Sequence, residues 1–353
     1  MKKHIFKMII PLFALLLTGC SLIPQLLELE QPAATPTEVM ENTPEAPNIP
    51  QVPALTPNPQ LIRTLTSSSM REFETQNAVS LQQARYLAFG AFVPTLNSDT
   101  IRVFALYNTA NCRTCRGGGY HACSRRMLAN SWSITDHETA MTQLTSLANA
   151  TGQSPIADDI FNTFVRNGIL QPPDPDEMLT SGFDIATLQN LHRNAVTRTE
   201  RRTDEIEQII DEWEIPEEEW DDVFELFVLM EMYDRISRGL TAYVAARDML
   251  INMFGFTEEE LLNIPTLAAW DYGRTAIIAR YGVAAGFLQE DDAWEYLKLA
   301  ADSASAIYSC WRQYTAAHVL GRAIAFGSNS HDLRYVIDYL LNHSESPFAD
   351  IEF

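Results

Sequence analysis

Proline placement constrains this chain more than any other feature. Nine of the 18 prolines fall between Pro24 and Pro59. Proline fixes φ and has no backbone N–H to donate, so neither helix nor sheet runs through such a stretch. From Ser21 to about Gln60 the rest is mainly Thr, Glu, Ala and Asn, with five acidic residues and no basic one. Such a composition cannot bury enough apolar surface to offset its ordering entropy. The expectation for residues 20–62 is a disordered, Pro-rich linker, partly in polyproline II. Forty such residues span roughly 35 Å as a flexible coil and about 120 Å fully extended. Structure is therefore expected to start downstream, as one large helical domain over about 70–345.

What precedes the linker reads as an address. Lys2, Lys3 and Lys7 form a positive start, and Ile9 to Leu17 an apolar run. The run closes on Leu17-Thr18-Gly19-Cys20, which resembles a bacterial lipobox. The resemblance implies a signal peptide over 1–19 and acylation (palmitate or a related chain) of Cys20, with a plain secretory signal as the alternative. Each buried methylene contributes roughly 0.8 kcal/mol, so two or three acyl chains hold a protein on a membrane durably. The implied partner is thus a membrane, through lipid at Cys20. The implied location is the cell envelope: the outer membrane in a Gram-negative host, the outer face of the cell membrane in a Gram-positive one. Ser21 is permissive for the outer membrane. No other stretch reaches about 18 unbroken apolar residues.

Charge narrows the partners. The chain holds 25 basic and 46 acidic side chains, a net charge of -21, which becomes -24 once the signal is removed. Nucleic acid is excluded as a partner, because phosphate affinity comes from Lys and Arg. The densest acidity is Thr203 to Asp234, with 14 Asp/Glu and no base. Calcium loops need Gly and alternating oxygen ligands, which this run lacks. Trp213, Trp220, Phe224, Phe227 and Val228 are interleaved, so the run reads as an amphipathic helix pair with a solvated acidic face. An acidic docking face for a partner is the lesser alternative.

The whole chain is 46% apolar, and its body reads as mainly α. Thr135-Asp136-His137-Glu138 reads as a capping box, and Thr257-x-x-Glu260 as another, with Phe256 and Leu261 as its staple. Further helices are expected from Asp184 to about Trp213, from Pro265 to about Gly282, from Glu290 to about Ser305, from Ala306 to Phe326 and from His331 to His343. Pro216 suits the first turn of the helix that follows it. Ile101 to Tyr107 is the one piece that reads as a strand, in a short β-hairpin near 100–120. No G-x-G-x-x-G or Walker pattern follows a strand, which argues against Rossmann and P-loop enzymes.

The carboxy-terminal half carries a family resemblance. Ala269-Trp270-Asp271-Tyr272-Gly273-Arg274 is followed by Ala279-Arg280-Tyr281-Gly282, Gly286-Phe287-Leu288, Ala293-Trp294, Trp311 and Gly321-Arg322. Upstream stands Leu128-Ala129-Asn130-Ser131-Trp132-Ser133-Ile134. This order resembles the bacterial family called domain of unknown function 1266, over about 128–327. In that family Trp-Gly-Ile usually stands where this chain has Trp132-Ser133-Ile134. The resemblance implies a helical fold and no particular reaction.

Spacing adds a candidate site. Leu267, Trp270, Asp271, Arg274, Ile278 and Tyr281 share one helical face. Asp271 and Arg274 are then at i, i+3 and within reach of each other. Trp311, Tyr314, His318, Gly321 and Arg322 do the same on a later helix. If Gly321 lets the two helices approach, Asp271, Arg274, His318 and Arg322 form one polar cluster. One reading is an internal salt-bridge network that fixes register. The other is a pocket whose arginines hold an anion, or whose Asp and His do acid–base work.

A second constellation is Cys112, Cys115, His121 and Cys123. Its CxxCxGxG resembles one zinc-binding repeat of the DnaJ-type chaperones, without the second repeat. The four side chains could bind zinc. Export and an even cysteine count favour disulfides, and redox-active thiols are the third option. Two functions follow as expectations. One is a membrane-anchored module that binds an unknown protein or small ligand off the membrane. The alternative is an enzyme or anion-binding protein built on Asp271, Arg274, His318 and Arg322.

Overall fold

In the computed structural model the chain divides into two units, residues 1–50 and 51–353. The structure describes residues 58–107, 119–173, 185–328 and 330–353, all within the second unit. Among them there are helices and no strand. The first group is α1 (Pro59–Leu65), α2 (Ser68–Gln76), α3 (Leu81–Ala88) and α4 (Phe92–Leu96). The middle group is α5 (Gly119–Trp132), α6 (His137–Ala148), α7 (Ser154–Thr163), α8 (Gln189–Glu200) and α9 (Thr203–Glu212). Then come the long α10 (Trp220–Phe254), α11 (Glu258–Leu262), α12 (Ala269–Ala284), α13 (Glu290–Ile307) and α14 (Trp311–Phe326). Two short helices, α15 (Arg334–Asn342) and α16 (Pro347–Asp350), finish the chain. None is long and apolar enough to cross a membrane, among the described residues.

Side-chain caps start several of these helices. Asn58 accepts from the Gln60 and Leu61 amides and so caps α1, on which Leu61 and Leu65 are buried. The box at Thr257 and Glu260 forms as expected, with Phe256 and Leu261 buried beside it. The upstream box is shifted by one residue. Asp136, not Thr135, is the cap: its carboxylate accepts from the Thr139 amide at 2.8 Å, and the Thr139 hydroxyl accepts from the Asp136 amide at 3.2 Å.

Other boundaries also move, for visible reasons. The helix expected up to Trp213 is two helices, α8 and α9, broken at Arg201–Arg202; Asp184, its expected cap, lies outside the described residues. The one expected from Ala306 begins at Trp311. Tyr308 is extended there, its hydroxyl donating to the Thr266 carbonyl and accepting from the Ala269 amide, both at 2.9 Å. Pro265 precedes α12 by a turn held from outside. The expected β-hairpin is absent where described: residues 101–105 are a bend. Arg280 accounts for it, since Nε donates to the Phe104 carbonyl and Nη2 to the Ala105 carbonyl and Thr100 Oγ1, all at 2.9 Å. Carbonyls that a strand partner would use are thus taken by a buried guanidinium.

The organising element is α12. It packs against α4, α5, α6, α7, α13 and α14, and nearly every residue from Ala269 to Ala284 is buried. The single apolar face expected from spacing is therefore a helix buried all round. Gly321 does allow the close approach to α14: a Cβ there would lie 2.8 Å from the Leu267 carbonyl and 2.9 Å from Trp270 Cβ. On the far side of α14, α10 spans roughly 52 Å at 1.5 Å per residue. It packs on α14 and α8. Near its start, Val223 and Phe227 join Ile206 and Ile210 of α9 in a small apolar cluster separate from the main core. The acidic run thus forms the expected helix pair.

Candidate functional site

Two helices far apart in sequence finish each other's beginnings. The amides of Gly152, Gln153 and Ser154, at the start of α7, donate to the Asp271 carboxylate of α12 at 3.0, 3.2 and 3.0 Å. In return Asp158 of α7 accepts from the Leu267 amide at 2.7 Å and the Thr266 hydroxyl at 2.5 Å, fixing the turn before α12. Burial pushes the Asp158 carboxyl up from its ordinary value, against those two hydrogen bonds. Gly152 suits its position because a Cβ there would sit 3.0 Å from Asp271 Oδ1.

The four residues expected to cluster do so only in part. Asp271 and Arg274 form a buried ion pair through Oδ1 and Nη2. Burial lowers the Arg274 guanidinium, and Asp271 opposes that shift. His318 is buried but not bonded to that pair. Its Nδ1 lies 3.2 Å from the Ala269 carbonyl and therefore carries the hydrogen; Nε2 is buried without a partner among the described residues. The ring stacks on Phe92 at 3.9 Å. Burial, with smaller contributions from Arg322 and Arg274, pushes its pKa down to about 3, so it is neutral at ordinary pH. Arg322 leaves the group altogether: its Nη1 and Nη2 donate to Asp332 at 2.9 and 2.8 Å. That partner is ten residues on, and no helical-face argument points to it.

A cleft of about 740 Å³ opens beside the ion pair. Its walls come from α4, α5, α6, α12, the end of α14 and the turn before α7. That volume suits a small-molecule ligand. Trp132 and Trp270 flank Arg274, their ring centroids 5.4 and 4.6 Å from its Cζ. Ser131, Ser133, Gln143 and Gln153 add neutral polar groups, and half-exposed Phe326 stands at the side. Ser133 has φ +54, a left-handed conformation in which Gly is unstrained. Spacing alone pointed to Asp271 and Arg274 but not to Trp132, whose partner is 142 positions away.

A second cavity of about 370 Å³ lies between α2, the 99–107 loop and α15–α16. Its charges are largely committed. Arg71 pairs with Glu345 at 2.6 Å and Arg102 with Asp350 at 2.8 Å, while Asp99 accepts from the Thr100 and Tyr107 amides. This reads as a network that ties the first helices to the last.

The cysteine constellation does not support zinc. Cys123 is disulfide-bonded and Cys310 is free; Cys112, Cys115 and the His121 side chain lie outside what is described. A sulfur in a disulfide is not a thiolate ligand. Among the described residues, no group of three or more His, Cys, Asp or Glu could hold a metal ion.

The described residues thus form an all-helical domain built round a buried Trp-Asp-x-x-Arg helix with an arginine-walled cleft at its side. Residues 127–353 match the model of the family described as Protein of unknown function (DUF1266), and the chain belongs to that family. No curated protein and no solved structure matches it.

Proposed function

We propose that the protein is a binding module, held off a membrane by acylated Cys20 and the Pro-rich linker, whose cleft beside α12 takes a small ligand. The observation that carries this reading is the pair of buried, unpartnered donors at the cleft wall. Among the described residues, Arg274 Nε and Trp270 Nε1 have no hydrogen-bond partner, and both residues are 5% exposed. Unsatisfied buried donors cost free energy, and a ligand group is a ready partner for them. Acid–base catalysis by the expected pair finds less support. Asp271 is held by three amides and a guanidinium, and His318 is bonded to a backbone carbonyl and not to Asp271.

The test uses the full chain labelled with 5-fluorotryptophan. Its six tryptophans each contribute one fluorine signal, and W132F and W270F assign the two of interest. A library of small neutral, anionic and cationic compounds is added. Compounds that move the Trp132 and Trp270 signals and spare Trp220 and Trp294 support the cleft. If no compound moves those two signals, the reading falls. For the anchor, C20A should lose the acyl mass from the amino-terminal peptide and leave the membrane fraction.

A further inference from the structure

We infer that the group recognised in this cleft is a carboxylate, carried on a small amphipathic molecule. The inference rests on the binding reading above and adds the ligand's chemistry to it.

Charge is the first argument. The chain carries -21 overall. Yet Arg274 is the one charged side chain among the described residues that line the cleft. Its partner Asp271 already accepts three amides at the positive end of α7, so the carboxylate is shared among four donors. A guanidinium has five N–H donors and Asp271 engages one nitrogen, which leaves capacity for another acceptor. Behind the wall, Arg235 of α10 donates to Gln153 Oε1 at 2.8 Å. Arg235 has no ion-pair partner among the described residues: Glu231 is taken by Arg198 and Arg202, and Asp234 by Arg238. The local balance is positive in an acidic protein, which favours an anion.

Among anions, the donor set favours a carboxylate over phosphate. Phosphate is bound by arrays of backbone amides at helix amino termini or by several cations together. Here the amide array at α7 is already filled by Asp271, and one guanidinium faces the cleft. That suits a singly charged, planar carboxylate, which matches the guanidinium fork. The body of the ligand follows from the rest of the wall. Trp132 and Trp270 offer aromatic faces, Ile277 and Leu147 apolar ones, and Gln143 a neutral hydrogen-bonding group. The indoles also exclude water from the charge, which strengthens an ion pair formed there.

The test titrates the fluorotryptophan-labelled protein with phenylacetate, with its neutral isostere phenylacetamide, and with inorganic phosphate. Phenylacetate should move the Trp132 and Trp270 signals and bind at least about tenfold tighter than the amide. R274Q should erase that difference while leaving weak binding of both. Because R274Q leaves Asp271 without its cation, D271N/R274Q is the second variant, and should behave alike with its fold retained. Phosphate should neither shift the signals nor displace phenylacetate. Equal binding of amide and acid overturns the carboxylate and leaves the cleft reading standing. Displacement by phosphate overturns it in favour of a phosphate site. If neither compound shifts the two signals up to about 10 mM, both readings fall. If both variants unfold, the acid-to-amide ratio on the native protein decides.

Discussion

The central helix α12 and the acidic pair formed by α9 and the start of α10 are both rich in charge, and they use it in opposite ways. On α12, Asp271, Arg274 and Arg280 are all buried, and each is held by named partners. On the acidic pair the charges face water, and bridges such as Arg202–Glu205 join side chains that are 39% and 63% exposed. Buried charges need close partners because their desolvation is costly. Solvated charges need little, and the pair meets through a small apolar cluster of Ile206, Ile210, Val223 and Phe227, with Ile209, Ile215 and Phe224 packed against it. The difference teaches where charge determines the fold and where it only colours the surface.

The largest expected effect is on α12. D271A removes the cap of α7 and leaves Arg274 buried without its counter-ion, which costs about 3–5 kcal/mol. Urea denaturation of the variant measures it, and a loss below about 1 kcal/mol would break the contrast between the two regions. His318 gives the next effect, through pH. Its pKa is depressed when folded, so its contribution to stability is fully present above the unfolded value of about 6.5 and is lost as pH falls towards about 3. Wild type should lose about 2 kcal/mol from this group between pH 6.5 and 5. H318Q should lack that part of the slope, as stability curves at the two pH values would show.

Two smaller effects sharpen the comparison. S133G relieves the left-handed strain at φ +54 and gives up some unfolded-state advantage, for a net gain of about 0.5 kcal/mol. A rise in melting temperature checks it. E205A, in the acidic pair, should change stability by about 0.5 kcal/mol or less, because the bridge is exposed and screened. A cost comparable with that of D271A would mean that the acidic surface is structural after all.

The sequence was most legible where the signal is local. The box at Thr257, the i, i+3 pair of Asp271 and Arg274 and the close approach at Gly321 all follow from spacings of a few residues. It was least legible where a partner is distant or a polar atom overrides a pattern. Asp271 meets amides 117 to 119 positions away, and no periodicity announces that. Arg322 has the spacing of an inward residue and turns instead to Asp332. Ile101 to Ala105 alternates like a strand, but Arg280, from more than 170 residues on, takes its carbonyls. Trp132 and Trp270 become neighbours of one guanidinium only after α5 and α12 have packed.

The mutual capping of α7 and α12 has a consequence for how the chain can be divided. Asp271 of α12 caps the first turn of α7, and Asp158 of α7 holds the turn that leads into α12, each across more than 100 residues. A cut between residues 173 and 185 would give two pieces, each lacking an aspartate that the other carries. Such pieces should remain incomplete alone and recover structure when mixed, as in fragment complementation. In the intact chain the same dependence should tie α12 to the closing of a long loop, and stopped-flow refolding of D158N should then be slower than that of the native chain.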